Sequence, residues 1–317
     1  MVPVIGFMGS KTGAGTTSFV YHLAWLYAEQ GYRVLAVDLD PQPNLSVRML
    51  EEERLKTLWV HPVIEADDQE RTEIFDLVRE SVSSNLELLV GDPNLTGEEE
   101  ILAQSWQRCR DGLELAFHWT LSFHRQIHRA AKAAQVDVVL VDLAPSPSAM
   151  NRAALLACQH MITLITPDLL SVHELFSLLP RIEDWRAEWQ QFRPTKRVGR
   201  HGPASFAKSA GYVLREHPSR IGSSSTDWSL GVPLAYAAAS RLAQPSSIED
   251  PNRLGILKWY GSVLPMAEEA RKPIFHLKPA DGALGAHAAV VREARKNFED
   301  IAARIARATW RSDEPNA

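Results

Sequence analysis

Cysteine is scarce in this chain: 317 residues hold two, Cys109 and Cys158. That count excludes a disulfide framework and a four-cysteine metal centre, and two free thiols fit a reducing compartment. Long apolar runs are missing as well. No stretch approaches the roughly 20 residues that cross a bilayer as a helix. The opening residues Met1 to Gly9 lack the basic n-region and apolar core of a signal peptide, so a cytoplasmic location without a membrane partner is expected. Nor is positive charge in excess. Lys and Arg number 34 against 39 Asp and Glu, a formal charge of -5, which excludes coating of nucleic acid through bulk charge.

What is present is an alternation of short apolar runs and helical periodicity. Val4–Met8, Val34–Val37, Leu86–Val90, Val136–Val141 and Met161–Ile165 read as strands buried on both faces. Between them, helical spacing marks 17–30, 97–110, 115–134, 149–158 and 171–192. This pattern predicts an α/β fold with a doubly wound, mostly parallel sheet flanked by helices, whose ligands bind at the carboxyl ends of the strands. The stretch 193–230 reads as an irregular basic insertion with a flexible turn at Gly222–Ser225 and one strand near Gly211–Leu214. After it come a helix over about 233–243, an apolar piece ending at Leu264-Pro265, a strand at Pro273–Leu277 and a long helix over 284–309. A single domain over 1–311 and a disordered tail over 312–317 are expected.

The segment Gly9-Ser10-Lys11-Thr12-Gly13-Ala14-Gly15-Thr16-Thr17-Ser18 lies between a predicted strand and a predicted helix. Glycines here let successive N–H groups turn inward toward phosphate oxygens, and the helix N-terminus adds a favourable dipole. Thr17 or Ser18 would supply a hydroxyl to Mg²⁺. Against the pattern G-x-x-x-x-G-K-[ST], Gly9, Gly15 and Thr17 fit, and Thr16 stands where lysine is expected.

Lys11–Ser18 resembles the deviant phosphate loop of the ParA/MinD family, written K-G-G-V-G-K-T-T. Asp38-Leu39-Asp40-Pro41-Gln42-Pro43-Asn44-Leu45-Ser46 is similar to that family's D-x-D-P-Q-x-N-x-S motif, and Val138–Pro145 resembles its Walker B strand, ending at Asp142. The tracts Asn151–Leu155 and Thr166–Ser171 are also similar to a subset of ParA-like ATPases. The resemblance is dense over 4–185 and thin beyond.

The resemblance implies ATP and Mg²⁺ as cofactors. Lys11, Thr12, Gly13, Ala14, Gly15, Thr16, Thr17 and Ser18 would hold the phosphates, with Thr17, Asp38 and Asp142 around Mg²⁺, partly through water. Asp40 would orient the attacking water, and Lys11 would reach across a dimer to the partner's phosphates. The function implied is an ATP-binding protein that dimerises around nucleotide and positions or segregates DNA or another large cargo. A protein partner would stimulate or read the nucleotide state. Loss of the lysine at Thr16 removes a charged hydrogen bond worth roughly 1.5–3 kcal/mol. Hydrolysis is therefore expected to be weak, slow or absent, with Lys11 the remaining cation of the loop. The alternative is a catalytically inactive pseudo-ATPase, a nucleotide sensor or structural subunit. A synthetase of the same class would need a substrate pocket that the sequence does not reveal.

Fainter signals complete the chain. Arg197, Arg200, Lys208, Arg215 and Arg220 fall in the basic stretch and are candidates for sequence-independent DNA binding, weighed equally against a solvated loop. Base-recognising residues are expected near Gly211–Pro218 and Leu264-Pro265. His124 and His128 lie four apart on a predicted helix, a spacing that can hold a metal, but without an obvious third ligand they read as exposed or core histidines. The spacing of Cys158 from Asp142 excludes an iron–sulfur cluster of the kind held by the related nitrogenase iron protein. Trp185 and Trp189, and the apolar residues of the last helix, read as core or interface rather than as a base platform or membrane anchor.

Overall fold

The computed structural model describes residues 2–59, 77–192, 206–216, 226–242 and 250–310, with the side chains of 192 and 226–230 outside that description. Its strands are β1 (Val4–Gly9), β2 (Val34–Asp38), β3 (Arg79–Ser83), β4 (Leu86–Leu89), β5 (Val138–Leu143), β6 (His160–Ile165), β7 (Lys208–Arg215) and β8 (Arg253–Leu257). They form one sheet in the order β3-β4-β2-β5-β1-β6-β7-β8. Every neighbouring pair is parallel except β3 with β4.

The inner strands are buried from end to end because both faces are covered. Val4 and Met8 of β1, with Val139 and Val141 of β5, belong to one core layer. Ile5 and Phe7, with Val138 and Leu140, belong to the other. Such a two-sided core needs helices above and below. The first layer is closed by α4 (Glu99–Arg110), α5 (Glu114–Thr120), α6 (Ser122–Ala133), α7 (Ala149–Leu155), α8 (Leu169–Phe192) and α9 (Thr226–Ala239). Here Trp106 stacks on Trp189 at 5.7 Å. The second is closed by α1 (Thr16–Glu29), α2 (Asn44–Met49), α3 (Glu52–Trp59), α10 (Val263–Glu269) and α11 (Ala286–Thr309). There Phe19 stacks on Phe298 at 5.8 Å, and the Tyr27 hydroxyl donates to the Ala302 carbonyl at 2.8 Å.

Several elements differ from expectation. Pro273–Leu277 is not a strand: Ile274–His276 form a 3₁₀ turn, whose Ile274 N–H donates to the buried His22 ring. The sheet ends on the β7 side at β8, where Gly255 lets α11 come close; a Cβ there would lie 2.6 Å from Ile301 Cγ1. The helix expected over 115–134 breaks at Leu121 into α5 and α6. The helix expected over 233–243 begins at Thr226 and runs through Pro233, ending at Ala239. Leu264 and Pro265 lie within α10. The strand expected near Gly211–Leu214 is present as β7, an inner strand between β6 and β8. Gly222–Ser225 and the tail 312–317 lie outside the described residues.

Candidate functional site

Strands β2, β5 and β1 are adjacent and parallel, so their carboxyl ends open onto one edge of the sheet. β1 delivers the glycine loop, β2 delivers Asp38 and Asp40, and β5 delivers Asp142.

The loop is built by its backbone. Ser10 N–H donates to the Leu164 carbonyl at 2.8 Å, and Ala14 N–H to the Lys11 carbonyl at 3.2 Å. Gly13 and Gly15 hold φ of 81° and 86°, the left-handed region that favours glycine. Gly15 caps α1 with no side-chain hydrogen bond, and the first turn carries no acid. The helix dipole and its free N–H groups are thus available to an anion. Thr16 is almost fully buried, and its hydroxyl packs against Gly9, where a Cβ would lie 2.8 Å from Thr16 Oγ1.

Asp38 and Asp142 face each other in register across β2 and β5, both fully buried. The Ser46 N–H and hydroxyl donate to Asp38 Oδ2 at 2.8 and 2.7 Å, and Gly91 N–H donates to Ser46 Oγ at 2.9 Å. Among the described residues, Asp38 Oδ1 and both carboxylate oxygens of Asp142 have no hydrogen-bond partner of good geometry. Burial pushes the Asp38 carboxyl up to about 7, against the pull of Ser46. Asp142 is raised well above the usual range by burial and then by repulsion from Asp38, while the Thr17 side chain acts in the opposite direction.

Two buried like charges with orphaned oxygens are stable as carboxylates only beside a cation. The donor set, carboxylate oxygens with a threonine hydroxyl nearby, suits a hard divalent ion. No group of three or more His, Cys, Asp or Glu that could hold a metal occurs among the described residues. An ion here would therefore complete its shell with water and phosphate, as Mg²⁺ does. Asp40 is half-buried and accepts from Gln42 N–H at 2.9 Å, and burial raises its pKa.

Lys11 and Arg215 meet different partners. Lys11 Nζ donates to Asp168 Oδ2 at 2.8 Å. Burial works to raise the Asp168 pKa, but hydrogen bonds from Lys11, Thr166 and Ser171 N–H outweigh it and hold the carboxyl down to about 2. Arg215 Nη1 donates to the Gly13 carbonyl at 2.8 Å. Lys11 is the cation within the loop, and Arg215 reaches it from β7. Lys208 is exposed at the other end of β7, roughly 23 Å away for eight residues of strand, so these two do not form one patch. Arg197, Arg200 and Arg220 lie outside the described residues.

Leu264 shares a groove with Gly15, Ser18, Arg215, Trp259 and Tyr260. Ser46, Gly91 and Asp168 had no role assigned from sequence. Ser46 and Asp168 stood inside quoted motifs, whereas Gly91 acts through contacts that only the fold creates.

Cys109 and Cys158 are buried free thiols, both pushed up by burial. Trp185 and Trp189 lie in the core, as do Phe298, Ile301 and Ile305 of α11. The His124 and His128 rings sit 4.3 Å apart. Among the described residues, no helix is long and apolar enough to cross a membrane.

A family model described as an AAA domain matches residues 2–192. The cell division protein PomZ of Myxococcus xanthus is 30% identical over 179 residues, covering 56% of this chain and 50% of PomZ. The chromosome-partitioning ATPase Soj of Thermus thermophilus is 28% identical over 194 residues, covering 58% of this chain and 62% of Soj. The chain spans about half the length of the first relatives it matches. Among solved structures, an ATP complex of a Cyanothece McdA variant with an aspartate-to-alanine substitution overlays with a TM-score of 0.60 at 15% identity, covering 96% of both chains.

Proposed function

The chain belongs to the ParA-like P-loop ATPases of the AAA-domain family, and on that premise we propose that it binds ATP with Mg²⁺ and dimerises around it. In the bound state it positions or segregates DNA or another large cargo. The observation that carries this reading is the convergence of the glycine loop, Asp38 and Asp142 on three adjacent strand ends, with buried carboxylate oxygens left unpartnered.

Each residue then has a defined task. The N–H groups of Gly13, Gly15, Thr16 and Thr17 would donate to phosphate oxygens, joined by that of Ala14 once it leaves the Lys11 carbonyl, with Thr12 and Ser18 flanking them. Asp38, Asp142 and Thr17 would hold Mg²⁺, which supplies charge neutralisation for the phosphates. Ser46 fixes the orientation of Asp38. Asp40, with one oxygen committed to Gln42 N–H, would orient a water through the other. Leu169 and Leu170, which follow the Lys11 partner Asp168 in sequence, are 69% and 54% exposed at the start of α8. Exposed apolar side chains next to that ion pair suit a face that a second copy covers on nucleotide binding. PomZ and Soj carry names of cell division and chromosome partitioning, which supports a positioning role, and a protein partner that reads the nucleotide state fits such a role.

A second reading is favoured by one feature. Thr16 is neutral and packed against Gly9, so charge that stabilises phosphoryl transfer is reduced. Turnover is slow, or the chain is a nucleotide sensor that binds without hydrolysing.

Light scattering of the purified chain tests the function. With Mg-ATP the mass doubles, and Lys11→Ala prevents the doubling. A wild-type chain that stays monomeric at saturating Mg-ATP contradicts the dimer, and turnover measured on the same samples separates the two readings.

A further inference from the structure

Charge around the glycine loop is unevenly satisfied. Lys11 is paired with Asp168, and Thr16 brings none. Arg215, at the end of β7, lies directly on the loop: its Nη1 donates to the Gly13 carbonyl at 2.8 Å. The guanidinium covers the α-carbon of Gly15, where a Cβ would fall 2.6 Å from Nη1 and 3.0 Å from Cζ. Its other neighbour of note is the Trp259 ring, 6.0 Å away. Among the described residues no carboxylate pairs with it, and the Gly13 carbonyl is its one hydrogen-bond acceptor.

A guanidinium has five N–H donors in a planar fork that suits phosphate. Holding one half-buried, without a counter-ion, is unfavourable, and burial depresses its pKa. Such a residue gains when an anion arrives beside it. The nearest place built for an anion is the loop that Arg215 already touches. Lys208 at the opposite end of the strand offers no continuation of a basic stripe.

We propose that Arg215 is a nucleotide-binding residue, donating to the phosphate chain held by the glycine loop and supplying the positive charge that Thr16 lacks. This rests on the reading that the loop binds nucleotide. The competing role is a latch that only holds the Gly13 carbonyl.

Calorimetric titration of Mg-ATP into the full chain, at two salt concentrations, separates charge from latch. The salt slope carries the distinction, since a lost latch leaves it unchanged and Arg215→Gln removes both the charge and the reach to Gly13. The Gln variant should bind about ten- to a hundredfold more weakly, with a shallower salt dependence. Arg215→Lys keeps the charge and should stay within about fivefold of wild type. Melting curves without nucleotide check that both variants fold. Gln binding within about twofold of wild type, or Lys losing as much as Gln, overturns the proposal. A wild-type chain that binds no nucleotide overturns the function itself. A wild type that binds, matched by the Gln variant, overturns the role of Arg215 alone.

Discussion

Lys11 Nζ lies 2.8 Å from Asp168 Oδ2, so the loop lysine is held by its own chain at the start of α8. Both side chains are about a quarter exposed, 26% and 24%, and solvent screening limits what the pair contributes. Were Lys11 to engage a second copy, this pair would have to open first.

Asp168→Ala therefore releases Lys11. Dimer formation with Mg-ATP should tighten by about two- to fivefold, the worth of a partly exposed ion pair of about 0.5–1 kcal/mol. Analytical ultracentrifugation over a concentration series measures it. Weaker dimerisation in a variant that melts normally would show that Asp168 helps to present Lys11 instead.

The buried carboxylates give a pH dependence with a definite sign. Asp38 titrates at about 7 in the folded chain, against about 3.9 unfolded. The folded state keeps a proton that the unfolded state has lost, so this group's stabilisation is present at low pH and declines as pH rises toward 7. Asp142→Asn removes the repulsion. At pH 8 without metal it should stabilise the chain by about 1–3 kcal/mol while abolishing Mg-dependent ATP binding, and the gain should shrink toward pH 5. Thermal melting across pH checks both. A variant less stable than wild type at pH 8 contradicts the account.

Acid acts through His22. Its Nδ1 lies 2.6 Å from the Ser18 carbonyl and its Nε2 accepts Ile274 N–H at 3.1 Å, which requires a neutral ring. Burial depresses its pKa to about 4 from about 6.5 unfolded. Its stabilisation is complete above 6.5 and is lost as pH falls toward 4. His22→Asn should flatten the acid limb of the stability curve. An unchanged limb would mean that other groups control it.

Gly91 matters through proximity rather than dihedral freedom. A Cβ there would fall 2.9 Å from Asp38 Cγ and 2.8 Å from Pro43 Cβ. Gly91→Ala should destabilise the chain by about 1–3 kcal/mol and weaken Mg-ATP binding by displacing Asp38. Retained affinity for Mg-ATP would show that the turn gives way without moving the carboxylate.

The parallel core was legible because β1, β2, β5 and β6 are apolar on both faces and end in turn residues. Edge strand β8, Arg-Leu-Gly-Ile-Leu, was not. It is short and glycine-interrupted, and its packing depends on Ile301 from far along the chain. Pro273–Leu277 looked like a strand by apolar content, yet tertiary demand for the His22 contact turned it into a 3₁₀ turn. At the site, the motifs named the loop and its acids. The positions of Asp168 and Arg215, 157 and 202 residues from their partners, come only from strand order.

The cation deficit makes Thr16→Lys a direct probe of the loop. If the loop holds phosphate, restoring the ammonium should tighten Mg-ATP binding by about ten- to a hundredfold and raise turnover. Unchanged turnover contradicts the role assigned to this position.

The central claim is that a loop without its usual lysine still binds Mg-ATP beside two protonatable, buried carboxylates. Calorimetry of Mg-ATP binding near pH 7, repeated in two buffers of different ionisation enthalpy, tests it most directly. The account predicts measurable binding accompanied by proton release, as Asp38 and Asp142 lose protons to make room for the metal, with both lost in Asp142→Asn. Absence of binding heat in both buffers, or binding with no proton release, would contradict it.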